Sequence, residues 1–173
     1  KHERGTDRVF EVFERELKSM PEIIINFQGD MPNLKPQSIK DLAEYMKKNL
    51  CDIATLASHI KNDNEEKDSN VVKVQVDNNI KNGSFAEAVD FFRNTSDPLG
   101  KFTYHHIGIY AFTNKALIRY VGLDRSKLEV ERKLEQLRAL EDKMKIHVGY
   151  IDACPLSVDT KADLEAVRKI MEK

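Results

Sequence analysis

Apolar and polar positions recur along this chain with two different periods, and the points where the period changes mark its elements. Val9, Phe10, Val12, Phe13 and Leu17 fall broadly on one helical face, with Thr6 or Asp7 available as a cap and Pro21 closing the segment. Ile23, Ile24 and Ile25 follow as an unbroken β-branched run, which suits a strand covered on both faces, as in parallel or mixed sheets packed against helices. Pro36 then stands near the start of a second helix, whose apolar positions Ile39, Leu42, Ala43, Met46 and Leu50 keep helical spacing. Asp52 to Ile60 reads as another strand, and the polar run 61–69 as a mobile surface loop.

Val72, Val74 and Val76 alternate with Lys73 and Gln75, and Phe85 to Phe92 can return beside them across an Asn- and Gly-containing turn, which predicts an inserted antiparallel hairpin. After a loop holding Asp97, Pro98 and Gly100, the segment Tyr104 to Phe112 predicts a strand. Its alternation puts His106, Gly108, Tyr110 and Phe112 on one face and His105, Ile107, Ile109 and Ala111 on the other. Lys115 to Val121 predicts a short helix, Leu128 to about Glu141 a longer one, and Ile146 to Ile151 a last strand. Thr160 with Asp163 resembles a capping pair for a final helix carrying Leu164, Val167 and Met171. The alternation of strands and helices predicts an α/β fold: a mixed, mostly parallel sheet flanked by helices, with the hairpin inserted.

Composition narrows what this fold can serve. A chain of 173 residues suits one domain, able to bury roughly 70% of its unfolded surface without disulfides. A net charge of −1, with both signs spread along the chain, argues against a nucleic-acid partner while leaving room for a small acidic ligand. Cys51 and Cys154 lack Cys-x-x-Cys spacing and read as reduced, partly buried thiols. The charged start and the lack of a long apolar run predict a soluble cytoplasmic protein with no membrane partner. Lys1 to Arg8 reads as the approach to a helix, so a strand and loop are expected upstream.

Candidate chemistry gathers where strands end. Gly29 and Asp30 follow the isoleucine run at a strand's carboxyl end, where open α/β sheets bind ligands, although Gly-Asp-x-Pro also serves as a plain turn. Asp159 occupies a similar transition, so the two carboxylates can meet above the sheet and offer magnesium the hard oxygens it takes; alternatively, Asp159 only assists a helix start. Arg93, His106 and Tyr110 can recognise an anionic polar ligand, or serve as satisfied structural residues. Adjacent strand positions point His105 and His106 opposite ways and disfavour zinc, and neither cysteine has a base nearby in sequence. Glu135 and Gln136 read on pattern as ordinary helix surface.

Gly5-Thr6-Asp7-Arg8-Val9, Asn26-Phe27-Gln28-Gly29-Asp30-Met31-Pro32, Val72-Lys73-Val74, Phe92-Arg93, His106 to Phe112, Leu134 to Arg138 and Val158-Asp159-Thr160 together resemble, in order and over nearly the whole chain, the 3-deoxy-manno-octulosonate cytidylyltransferases, or CMP-KDO synthetases. The resemblance implies a Rossmann-like nucleotidyltransferase domain that uses CTP and the sugar acid KDO to make CMP-KDO and pyrophosphate for lipopolysaccharide, as a homodimer. It implies that Asp30 and Asp159 hold magnesium and that Gln28 touches substrate beside them. It also implies that Arg93, His106, Tyr110, Glu135 and Gln136 shape the sugar site, and that the segment holding Gly5 and Arg8 approaches the nucleotide. The family's basic Arg-x-x-Ser-x-Arg-Leu-Pro-Gly-Lys loop does not occur in these residues, Met31 stands where the family usually has Glu, and the loop after Arg93 is shorter. The competing expectations are a cytidylyltransferase for another acidic sugar, such as a sialic acid, and a non-catalytic fragment that dimerises or binds sugar.

Overall fold

The computed structural model describes residues 5–16, 20–94, 100–158 and 160–172. Six strands form one sheet: β1 (Ile23–Asn26), β2 (Ile53–Ser58), β3 (Lys73–Val76), β4 (Phe85–Phe92), β5 (Thr103–Thr113) and β6 (Ile146–Tyr150), ordered β1-β5-β2-β6-β4-β3. The helices are α1 (Gly5–Glu16), α2 (Pro36–Lys48), α3 (Asp63–Lys67), α4 (Asn114–Val121), α5 (Lys127–Arg132), α6 (Gln136–Glu141) and α7 (Lys161–Met171).

The α/β class holds, but the expectation of a mostly parallel sheet flanked by helices is corrected. Only β2 and β6 pair in parallel; β1–β5, β2–β5, β3–β4, β3–β5 and β4–β6 are antiparallel. The sheet also closes on itself, because β3 pairs with the start of β5 through Lys73↔His105, Val74↔Tyr104 and Gln75↔Thr103. The predicted hairpin is present as β3 and β4, and it forms part of this closed sheet instead of standing beside it. Nor do the helices make two flanking layers: α2 packs against β1, β2 and β5, α1 and α4 meet β1, and α6 meets β4.

The isoleucine run misled for a physical reason. β1 pairs antiparallel with the far end of β5, yet Ile24 packs on one core and Ile23 and Ile25 on the other, so both faces are covered although the pairing is not parallel. β2 sits between the same two cores: Ile53 and Ala57 join one, Ala54 and Leu56 the other, and every residue of the strand is buried.

Several local readings also change. Thr6 lies inside α1 and is buried, so it does not cap that helix; Leu17 is outside the described residues. α2 begins with Pro36 at its first turn and buries Leu42 and Met46, but it stops at Lys48, so Leu50 leaves the apolar face and is exposed. Within 61–69 the chain forms α3, capped by Asn62, whose side chain accepts from the Glu65 N–H at 3.1 Å. Thr160 and Asp163 do form a reciprocal capping box on α7, which buries Val167 but leaves Leu164 and Met171 exposed. No described helix is long and apolar enough to cross a membrane.

The expected helix from Leu128 to Glu141 is divided into α5 and α6 by Lys133, which adopts the left-handed conformation at φ 56° and ends α5. What holds the two pieces together is a buried ion pair. Arg138 donates through Nε and Nη2 to the two oxygens of Glu129 at 2.7 and 2.9 Å, and Glu129 is fully buried. Replacing Arg138 removes the bidentate partner of a buried charge, which the longer contact of Arg125 Nε with Glu129 Oε1 at 3.4 Å offsets only in part. Arg138→Leu is therefore expected to destabilise the fold by about 3–5 kcal/mol, measured as a lowered midpoint in urea; an unchanged midpoint would show that the pair does not hold α5 to α6.

Candidate active site

A cavity of about 330 Å³ opens beside β5, and its walls come from segments distant in sequence. Gln28 and Asp30 enter from the loop after β1, Arg93 from the end of β4, and His106 and Tyr110 from β5. Glu135 and Gln136 come from the corner between α5 and α6, and Cys154, Pro155 and Ser157 from the segment after β6. Every substrate residue expected from the sequence, together with Asp30, thus lines one cavity. Gly5 and Arg8 lie exposed on α1 and do not line it, and Asp159 is outside the described residues.

The Asp30 edge is built by two loops pinned together. The Val158 N–H donates to the Asp30 carbonyl at 2.9 Å, the Leu156 N–H to Asn33 Oδ1 at 3.0 Å, and the Ser157 hydroxyl to Asp30 Oδ2 at 3.3 Å. Asp30 Oδ1 is buried with no hydrogen-bond partner among the described residues. Such an oxygen is costly to leave unsatisfied and is available to a ligand. Met31, next in sequence, turns inward and packs with Leu34 and Leu42.

The Arg93 edge rests on Lys73, which is fully buried and donates to the carbonyls of Asp68 at 2.6 Å and Arg93 at 2.8 Å. Burial holds its pKa below the usual lysine value. Arg93 itself donates through Nη1 to the carbonyls of Ser69 and Asn70 at 3.1 and 2.8 Å, so the guanidinium is fixed in place by neutral acceptors and its charge is not cancelled by a carboxylate there.

His106 sits where β5 bulges. β2 pairs Thr55 with Tyr110 and then Leu56 with Ile107, leaving Gly108 and Ile109 without partners in that register. The Thr55 hydroxyl fills the gap, lying 2.7 Å from the Ile109 carbonyl, 3.2 Å from that of Ile107 and 2.9 Å from His106 Nε2. Carbonyls only accept, so the hydroxyl proton points to them and Thr55 accepts from the Nε2–H of His106. Nδ1 is then the unprotonated nitrogen, and it has no hydrogen bond to a described residue. Burial, helped by neighbouring His105, pushes the His106 pKa down to about 3, so the ring is neutral.

The opposite wall is equally fixed. The Thr6 hydroxyl donates to Glu135 Oε2 at 3.1 Å, the Tyr120 hydroxyl donates to the Glu135 carbonyl at 2.9 Å, and the Arg138 guanidinium stacks over the Tyr120 ring at 5.1 Å. Burial raises the Tyr110 pKa well above its ordinary value, with Glu135 and Tyr120 adding to the effect, so Tyr110 keeps its proton and can donate it in a hydrogen bond. The arrangement therefore offers an uncancelled cation, two amides, a neutral imidazole acceptor, a phenol and carboxylates within one small-ligand volume, a set suited to a hydroxylated acid.

The profile of the family described as cytidylyltransferase matches residues 1–146. The chain belongs to the cytidylyltransferase family. Within it, the chain is similar to 3-deoxy-manno-octulosonate cytidylyltransferase of Bartonella bacilliformis, 42% identical over 98% of this chain and 70% of the relative. The protein of the same name from Afipia carboxidovorans is 43% identical over 99% and 69%. A solved structure of CMP:2-keto-3-deoxy-manno-octonic acid synthetase complexed with CTP agrees with a TM-score of 0.86 at 34% identity, covering 99% of this chain and 69% of that one. A 4-diphosphocytidyl-2C-methyl-D-erythritol synthase from Anaerococcus prevotii shares the fold, with a TM-score of 0.63 at 13% identity over 100% of this chain and 68% of that one.

Sequence reasoning missed the residues of this cytidylyltransferase that support the cavity from behind: Thr55, Lys73, and the contact of His105 with Glu65 and Cys154. Thr55 reads as an unremarkable strand position; Lys73 stands in the Val72-Lys73-Val74 motif of the resemblance and alternates with the valines, but neither observation assigns it a role.

Two measurements follow from the His106 geometry. In the unfolded chain His106 takes a proton below its ordinary pKa of 6.5, whereas in the fold it does so only near pH 3. Between those values the unfolded state binds the extra proton, so this residue makes stability fall as pH drops from 6.5 toward 3, by about 1.4 kcal/mol per pH unit. His106→Gln should flatten that part of a stability-versus-pH curve relative to the unmodified protein; parallel curves would contradict a buried neutral ring. Thr55→Val, which leaves the Nε2–H without its acceptor, should cost about 1–3 kcal/mol by chemical denaturation, and no loss would show that the Thr55 hydroxyl does not support the bulge or His106.

Proposed function

We propose that this protein transfers a cytidylyl group from CTP to 3-deoxy-manno-octulosonate (KDO), giving CMP-KDO and pyrophosphate. The observation that carries the reading is the convergence of Gln28, Asp30, Arg93, His106, Tyr110, Glu135 and Gln136 on one cavity in a chain of the cytidylyltransferase family. The chain spans about 70% of the length of the relatives it matches. Residues 1–173 are read as belonging to a single nucleotidyltransferase domain, with the triphosphate-gripping loop expected elsewhere in the same coding sequence.

In this reaction the anomeric hydroxyl of the sugar attacks the α-phosphorus and pyrophosphate departs. Transfer of this kind needs alignment and charge neutralisation more than covalent help. Arg93 takes the sugar carboxylate, because its rigid fork matches a carboxylate and no described acid cancels it. His106 Nδ1 accepts from a sugar hydroxyl and Tyr110 donates to another. Gln28 and Gln136 contribute amides, and Glu135, held by Thr6 and Tyr120, is a further acceptor. Gly5 and Arg8 are proposed to face the nucleotide.

Asp30 fits a magnesium ligand, since its Oδ1 is buried without a partner among the described residues. Among those residues no cluster of three or more His, Cys, Asp or Glu is arranged to hold a metal. Magnesium commonly takes only one or two protein carboxylates, with phosphate and water completing the octahedron; in this reading the second is Asp159. When bound, the ion would neutralise triphosphate charge. A cytoplasmic homodimer that supplies activated sugar acid for lipopolysaccharide belongs to the same proposal.

The test is to express the whole coding sequence that contains these residues and to supply CTP, magnesium and either KDO or a sialic acid. Pyrophosphate release with KDO is expected, and preference for the sialic acid would overturn the sugar assignment. Asp30→Asn should lower turnover about 100-fold or more, since Lewis-acid charge stabilisation is worth several kcal/mol. Undiminished turnover would remove Asp30 from the metal site. Arg93→Ala should raise KM for KDO by roughly 10- to 100-fold while leaving that for CTP nearly unchanged.

A further inference from the structure

We propose that Cys154 is a site of reversible covalent modification, a thiol in the wall of the cavity that reacts with small disulfides and, once capped, closes the cavity to its substrate. The closure rests on the functional reading above; the reactivity of the thiol does not.

Three residues from three elements make the site. Cys154, in the segment after β6, is partly exposed, and its Sγ lies 3.7 Å from Nδ1 and 3.8 Å from Nε2 of His105 on β5. His105 Nδ1 is in turn hydrogen-bonded to Glu65 Oε1 of α3. A carboxylate only accepts, so Nδ1 carries the proton and Nε2 is the unprotonated nitrogen of a ring that lies against the thiol. Glu65 is itself fixed by the Lys61 N–H at 2.8 Å and by the Asn62 cap at its own N–H. A nucleophile beside a base that a third group orients is the arrangement that activates thiols.

The electrostatics agree with the geometry. Burial works against a charged His105, but its hydrogen bonds to Cys154 and Glu65 prevail and raise its pKa above the ordinary value, strengthening it as a base. Cys51 provides the contrast within the same chain. It is 7% exposed, its thiol donates to Met46 Sδ at 3.3 Å, and burial with the adjacent Asp52 pushes its pKa up to about 11. Buried thiols of that kind are inert.

Position makes the modification consequential. Cys154 and Pro155 line both the 330 Å³ cavity and a neighbouring one of about 400 Å³, so a disulfide has a route to the sulfur and an adduct has space to occupy. His106, only 7% exposed and with Nδ1 unpartnered among the described residues, lines the first cavity too, which marks it as a place where a ligand sits. The segment holding Cys154 cannot easily swing aside, because Leu156 and Val158 are bonded to Asn33 and Asp30.

In the reaction, the Cys154 Sγ–H bond breaks and its proton passes to His105 Nε2. The sulfur attacks one sulfur of a disulfide RS–SR, the S–S bond breaks as Cys154–S–S–R forms, and the departing RS⁻ takes the proton from His105. An excess of thiol runs the exchange backward.

The experiment exposes the whole protein to oxidised glutathione and follows adducts by mass spectrometry with peptide mapping. Cys154 should be capped roughly tenfold or more faster than Cys51, and His105→Gln should slow its capping by a similar factor. Dithiothreitol should reverse the adduct, KDO should protect against it, and pyrophosphate release by Cys154→Ser should be indifferent to the disulfide. Equal rates at the two cysteines, or no effect of His105→Gln, would overturn the modification site even if CMP-KDO forms. Rapid capping without protection by KDO would overturn the closure. Rapid capping in a protein that does not use KDO would support the thiol site while the sugar reading fails.

Discussion

The Thr55 hydroxyl closes the gap that opens where Gly108 and Ile109 run unmatched in the ladder between β2 and β5, and the cavity depends on that closure. Without a donor there, the carbonyls of Ile107 and Ile109 would lose the one hydroxyl proton they share, at a total cost of about 1–3 kcal/mol. With it, β5 bends in the middle and keeps both ends paired, its start to β3 and its far end to β1. The bend puts Gly108 at the cavity wall, with Gln28 Nε2 only 4.0 Å from the place a Cβ would take, so the β1 loop lies close over the strand. The same hydroxyl sets the tautomer of His106. One threonine thus joins the closure of the sheet to the chemistry the cavity presents.

A second constraint works from the opposite wall. An uninterrupted helix from 128 to 141 would spread Glu135 and Gln136 around its surface; the left-handed Lys133 instead turns the chain so that both line the cavity. A lysine in that conformation costs roughly 1–2 kcal/mol, and the bidentate Arg138–Glu129 pair with the Tyr120 contacts over-determines the corner and keeps it. Thr6 extends the support to α1, so the first helix is tied to the cavity through a hydrogen bond to Glu135 although its own exposed residues Gly5 and Arg8 stay outside.

Element identity was legible where one force dominated. The strand at β3, the Pro36 start of α2 and the Thr160 capping box each depend on local chemistry, and each appears as expected. Sheet direction was not legible, because Ile23 to Ile25 report only that both faces are covered, and an antiparallel strand between two cores meets that condition as well as a parallel one. The break at Lys133 and the bulge at Gly108 were equally hidden, since each is stabilised by partners far away in sequence. The residues lining the cavity were given roles through a family resemblance, whereas the residues that support them, even those inside its motifs such as Thr6, Lys73 and Arg138, were given no supporting role. Lys73 illustrates why: alternation assigns it outward, whereas its ammonium is drawn inside by two carbonyls that only the folded chain brings together.

The adjacent histidines show how one strand can divide opposite tasks between neighbours. His105 and His106 differ by one position, so the pleat sends them to different surroundings. Burial and an accepting hydroxyl keep His106 neutral, while Glu65 and Cys154 favour the proton on His105. The two are coupled, because charge on His105 further disfavours charge on His106. Protonation of the outer ring therefore strengthens the neutrality of the inner one, and the cavity keeps its hydroxyl acceptor through the pH range in which a free histidine would lose it. If the cavity takes a sugar acid as proposed, with the carboxylate on Arg93 and hydroxyls elsewhere, that separation serves it, since a second cation at His106 would compete for the acid and lose the hydroxyl.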